Sequence, residues 1–173
     1  MNNWYAKCTA EIKRIYGDDW KLFADLLAAT SPRKSVKANW RLAVQVYDSH
    51  IAGEVDYSGT LPCHRPNINR ALNGEELSGR KVRAFAANLK GDLDVCTIDI
   101  WIMRYFGFDK LTDKTYSFIE SVIKMMAAAS HMRPAEMQSM LWCDTIREHG
   151  RTPKSFLCAV DHQYKLFEEV TNA

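Results

Sequence analysis

No apolar run in the chain approaches the roughly 20 residues that a membrane-spanning helix requires. Its first residues, Met1-Asn2-Asn3-Trp4, lack the basic stretch and apolar core of a secretory leader, so the protein is expected to stay inside the cell. Cysteine is sparse and poorly arranged for crosslinking. Cys8, Cys63, Cys96, Cys143 and Cys158 are odd in number, scattered and without a Cys-x-x-Cys pair, which argues against a disulfide framework or a zinc site and for reduced thiols. The histidines, His50, His64, His131, His149 and His162, form no His-Glu-x-x-His or comparable ligand set, so metal catalysis is not expected. Charge of one sign is also scarce: a formal net charge of +2 does not by itself announce a nucleic-acid partner, although a fold can bind phosphate locally while nearly neutral overall.

What remains is ordinary globular composition. With 173 residues, 47% of them apolar and 25% charged, the chain can bury a sizeable core as one domain spanning 1–173. Apolar residues recur at helical spacing in Trp20, Phe23, Leu26 and Leu27 and again in Trp40, Val44, Val46 and Tyr47, while sustained period-two alternation is hard to find. The pattern predicts an all-α fold, with helices over about 3–15, 18–30, 34–52, 66–73, 80–90, 98–106, 114–129, 134–148 and 154–170. Breaks have local causes: Ser31-Pro32, Gly53, and prolines at positions 134 and 153, where a helix start tolerates them. The stretch Glu54–Pro66 reads as the longest loop, a bridge between two helices. In the last helix Phe156, Leu157, Val160, Tyr164, Phe167 and Val170 make an apolar stripe suited to core packing.

Two segments carry chemistry. In Leu77-Ser-Gly-Arg-Lys-Val-Arg, a Gly79 turn feeds a helix whose first turn bears Arg80, Lys81 and Arg83. Free amides at a helix start attract anions and glycine permits close backbone approach, so a DNA phosphate could sit there; equally, a glycine before a helix often makes only a turn. A second basic cluster, Arg33, Lys34 and Lys37, follows the Thr30-Ser31-Pro32 break, and either cluster alone reads as a solvated helix face. Further on, Asp99 is embedded in the apolar run Thr97-Ile-Asp-Ile-Trp-Ile-Met. Its plain role is to cap the next helix, which is compatible with a catalytic one because a capped carboxylate is held rigidly.

Lys81 and Asp99 stand eighteen positions apart. In this the sequence resembles the helix-hairpin-helix (HhH-GPD) DNA glycosylase superfamily, whose signature is a glycine-containing hairpin, a lysine opening the next helix and a Val-Asp-x-His-type motif about eighteen positions later. Leu26-Leu-Ala-Ala-Thr-Ser31, with Ser35-Val36, is similar to the Leu-Leu-Ser-Ala-Gln segment and following helix that help the family insert into duplex DNA. Two departures are plain: Leu-Ser-Gly-Arg-Lys replaces Leu-Pro-Gly-Val-Gly-x-Lys, and Trp101 occupies the usual histidine place. The iron–sulfur cysteine loop of endonuclease III relatives is missing, since only Cys158 falls in the last helix. Ala135-Glu-Met-Gln-Ser-Met-Leu-Trp142 is similar to the Trp-Ala-Gln-Ala-Val-Leu-Phe segment of the 8-oxoguanine glycosylase branch.

The resemblance implies a compact helical domain with a cleft beside the hairpin, the hairpin and catalytic segment covering about 66–107. It implies Lys81 as nucleophile and Asp99 as catalytic carboxylate, with Phe85, Gln138, Trp142 and Trp101 around the base. Thr30, Ser31, Arg33, Lys34, Gly79, Arg80 and Arg83 would face DNA. Against this stand plainer roles: core packing for Phe85 and Trp142, a solvated amide for Gln138, a surface amine for Lys81. An amine attacking the sugar C1′ must be uncharged, a state that apolar lining and neighbouring arginines favour. The implied activity is base removal, 8-oxoguanine first among candidates, followed by strand cleavage through a Schiff base. The expected partner is damaged duplex DNA, bound by an intracellular, nucleoid-associated monomer with no membrane contact. No cofactor is expected beyond a monovalent cation that a hairpin of this superfamily can hold through backbone carbonyls. A non-catalytic duplex-binding module, a glycosylase for another base and a helical protein-interaction domain are the rival readings.

Overall fold

The computed structural model describes residues 4–156, and all regular structure in them is helical. The helices are α1 (Trp4–Tyr16), α2 (Trp20–Ala29), α3 (Val36–Ile51), α4 (Arg65–Leu72), α5 (Arg80–Leu89), α6 (Ile100–Tyr105), α7 (Asp113–Ala129) and α8 (Pro134–Glu148), with a 3-10 turn at Gly17–Asp19. These match the periodicity reading closely, and the differences come from caps. Ser35 accepts the Ala38 amide, so α3 starts at Val36; Asp99, extended at φ −109°, accepts two amides, so α6 starts only at Ile100. Residues 154–156 are not helical, and the rest of the helix expected over 154–170 lies outside the described residues. No helix among the described residues is long and apolar enough to cross a membrane.

By their contacts the described residues sort into two compact units. One comprises Trp4–Thr9 and Gly79–Pro153; the other comprises Ala10–Ser78 and Lys154–Phe156. Helix α1 thus contributes its first residues to one and its later residues to the other.

In the Ala10–Ser78 unit, α2 packs against both α3 and α4, and Phe23, Ala24, Leu26, Leu27, Ala28 and Ala29 are all fully buried. An aromatic cluster closes this core: Tyr16 stacks on Phe23 at 3.6 Å, Trp40 meets Phe23 edge-on at 5.0 Å, and Phe156 lies 5.8 Å from Trp40. Where α2 ends, the buried Thr30 hydroxyl meets Asn39 Oδ1 at 2.7 Å while Asn39 Nδ2 donates to Leu27 O. His64 fastens the long loop before α4: its Nδ1 accepts from Leu61 N at 3.2 Å and its Nε2 donates to Pro32 O at 2.8 Å. The loop connects α3 to α4.

In the other unit, α8 packs on α6 and α7 around Ile98, Ile102, Ile119, Ile123, Met137 and Leu141. The segment joining α5 to α6 is irregular and held by buried side chains. Asn88 donates to Asp92 O and Val95 O and accepts the Thr97 hydroxyl at 2.7 Å. Tyr116 donates to Cys96 O at 2.6 Å and accepts from Ile98 N at 3.3 Å. Burial pushes the Tyr116 phenol and the Cys96 thiol each up to about 12.

Because Asn88 is fully buried with all its polar atoms engaged, Asn88→Ala should lower unfolding free energy by about 2–4 kcal/mol in urea titrations, as buried backbone acceptors lose partners. His64 is also fully enclosed, and burial, the largest influence, holds its pKa below the ordinary 6.5. The unfolded chain therefore takes up this proton first, so the contribution is complete above about pH 6.5 and is lost as pH falls below it. Melting temperature should drop more steeply between pH 7 and 5 for the native chain than for His64→Gln.

Candidate active site

Asp99 is the best-defined polar centre among the residues singled out from sequence. Its Oδ1 accepts the backbone amides of Trp101 at 2.9 Å and Ile102 at 3.0 Å, capping α6. Its Oδ2 accepts the indole Nε1–H of Trp142, from α8, at 3.0 Å. The cap and the packing of α6 on α8 therefore converge on one carboxylate, which stays partly open to solvent.

Two of the other expected base-contacting residues, Gln138 and Phe85, are brought together by one that sequence reasoning missed. The Tyr5 hydroxyl donates to Gln138 Oε1 at 2.9 Å, and its ring meets Phe85 edge-on at 6.4 Å. Burial pushes the Tyr5 phenol well above its usual range; the nearby Asp99 charge adds to this, while the Thr97 hydroxyl acts the other way. Trp4 lies edge-on to Tyr5 at 4.9 Å and tilted against Trp142 at 6.3 Å. Gln138 is 3% exposed, not the solvated amide its residue type suggests. Tyr5 gave no signal beforehand because an aromatic in an amphipathic N-terminal helix is indistinguishable from a packing residue.

Lys81 is half-buried on α5, one turn before the buried Phe85 and so on the same helix face. It forms no hydrogen bond or ion pair with any described residue. Gly79 precedes α5 at φ +88°, a conformation that side chains other than glycine avoid, and this starts the helix with its first amides uncapped by any side chain. Ser78, at the end of the other unit, is gripped by Asn67, whose Oδ1 accepts Ser78 N at 2.7 Å and whose Nδ2 donates to Ser78 O. Among the described residues, no three His, Cys, Asp or Glu side chains come together.

The cations divide. Arg80 is committed to α7: its guanidinium reaches Glu120 at 2.8 Å and Ser117 Oγ at 2.7 Å and lies over the Tyr116 ring at 4.2 Å. Glu120, a second residue unremarked in sequence, also meets Lys124 at 3.6 Å. Arg83 is exposed. Trp101 does not join the Tyr5 cluster contacts; it packs edge-on with His149 at 5.4 Å and carries Arg104 and Arg151 at 5.1 and 5.4 Å. In the Ala10–Ser78 unit Thr30 is wholly buried, Ser31 bonds back to Ala28 O, and Lys34 donates to Gly59 O at 3.0 Å. Arg33 is exposed at φ +59°, a left-handed conformation that few non-glycine residues take.

Asp99→Ala should cost about 2–3 kcal/mol, losing both the cap and the Trp142 bond, whereas Asp99→Asn keeps the cap and should cost only about 1 kcal/mol. Urea denaturation of the two variants checks this, and equal losses would mean that the cap carries none of the difference.

Comparison with curated proteins and with solved structures returned no match to this chain. A family model does match, over residues 2–149, which takes in every helix described above. The chain belongs to that family, described as a family of unknown function (DUF7178).

Proposed function

We propose that this chain excises a damaged base from duplex DNA and cleaves the strand at the resulting abasic site, as a helix-hairpin-helix type glycosylase with lyase activity. The observation that supports it is that Tyr5 joins Gln138 of α8 to Phe85 of α5, while Trp142 of α8 bonds the Asp99 cap, whose charge acts on Tyr5. Lys81 stands one turn from Phe85 and forms no ion pair with any described residue. The base must leave the stack before its glycosidic bond can be reached. The Lys81 amine attacks C1′, the base departs with the glycosidic electron pair, and the Asp99 carboxylate stabilises the positive charge growing on the sugar and takes up the amine proton. The C1′–O4′ bond then breaks, with O4′ taking a proton, which opens the sugar to the Schiff base; removal of a C2′ proton by a base lets the electrons expel the 3′ phosphate. Phe85 and Trp142 offer planar faces suited to a purine, and 8-oxoguanine is the first substrate to test.

One observation favours a second reading, a duplex-binding module without excision. The Gln138 carbonyl, which would read the base edge, is occupied by the Tyr5 hydroxyl, and both residues are 5% exposed or less. Catalysis in this chain therefore requires Tyr5 to move aside when a nucleotide enters.

Borohydride reduction of a Schiff base leaves a stable protein–DNA adduct, which separates the two readings. The native chain should be trapped on duplexes carrying 8-oxoguanine or an abasic site, and Lys81→Gln should not be. Asp99→Asn should slow cleavage at least about 100-fold while remaining folded. Binding of these duplexes with no adduct and no cleavage would leave the binding module.

A further inference from the structure

In the Ala10–Ser78 unit, the first turns of α3 line a shallow groove of about 360 Å3, open to solvent. Lys34, Lys37 and Arg41 stand along it and no carboxylate does. Lys37 and Arg41 are exposed, lie one turn apart on the same helix face, and form no ion pair or hydrogen bond with any described residue. Local physics opposes this placement. The start of a helix carries partial positive charge and favours acids, and like charges four residues apart destabilise a helix by a few tenths of a kcal/mol. No described residue pairs with either cation to offset it. Lys34, tied to Gly59 O at 3.0 Å, joins the opposite wall to the helix start, and the exposed Arg33 adjoins it. Gln45, also in the lining, donates to Asp56 Oδ2 and Ser58 O, both at 2.8 Å.

We propose that this groove carries the phosphate backbone of duplex DNA. Lys37 and Arg41 are separated by about 6 Å along the helix axis, which lets them meet different phosphates of a strand whose charges recur every ~3.4 Å of duplex axis. An open groove with cations in a row suits a passing polyanion better than a single enclosed anion. The inference rests on the nucleic-acid part of the reading above and not on Lys81 or Asp99 chemistry.

The test uses the full chain carrying Lys81→Gln, to prevent cleavage, and an undamaged 20-base-pair duplex titrated by fluorescence anisotropy from 50 to 200 mM salt. Each phosphate neutralised contributes about 0.9 to the slope of log K against log salt. Adding Lys37→Gln and Arg41→Gln should reduce that slope by about 1.8. The charge-preserving exchange Lys37→Arg with Arg41→Lys should retain it, and Lys110→Gln with Lys114→Gln, exposed cations of the other unit, should leave it unchanged. An unaltered slope in the groove variant, or an equal reduction in the control pair, overturns the proposal. Absence of duplex binding by the parent overturns it together with the nucleic-acid reading, whereas binding with a groove-dependent slope but no borohydride adduct from the native chain removes only the catalytic reading.

Discussion

Three N–H groups on the Asp99 carboxylate decide how the smaller helices of its unit are arranged. A helix of six residues cannot sustain itself in water, because nucleating a turn costs more entropy than so few hydrogen bonds return. Helix α6 has only that length. It exists because Asp99 satisfies two of its orphan amides and because Ile102 and Met103 are buried, and it is tied to α8 because the same carboxylate takes the Trp142 indole. The charge that would serve chemistry is therefore also the pin of the local structure.

That pin is held in turn by the irregular segment before it. Residues 90–99 contain no helix or strand to satisfy their backbone, and a buried backbone group left unpaired is costly. Asn88 and Tyr116 supply the partners, one from the end of α5 and the other from α7. The Arg80 and Glu120 pair ties the beginning of α5 to α7 as well, with the Tyr116 ring beneath the guanidinium. Asp99 is thus positioned by a set of polar side chains that all leave helices, and Tyr5 completes the set by linking Phe85 and Gln138.

The two basic clusters show how residues of the same type come to differ. In the first turn of α5, Arg80 is spent on an ion pair inside its unit. At the start of α3, Lys37 and Arg41 are exposed and form no ion pair with any described residue. Both clusters look alike as sequence, a few cations near a helix start. Only the carboxylates that the folded chain brings near them separate a structural arginine from one available to a ligand, and Glu120 lies forty residues from its partner.

The extent of the eight described helices was legible from the amino-acid order because helical periodicity, caps such as Ser35 and Asp99, and breakers such as Pro32 and Pro134 act within a few residues of themselves. Tertiary structure alone decided that Gln138 is buried against Tyr5, that Trp142 bonds Asp99, that Thr30 is internal, and that the contacts sort into two units. These outcomes depend on which faces meet across long stretches of chain, and side-chain hydrogen bonds between helices leave no periodic trace in either partner's sequence.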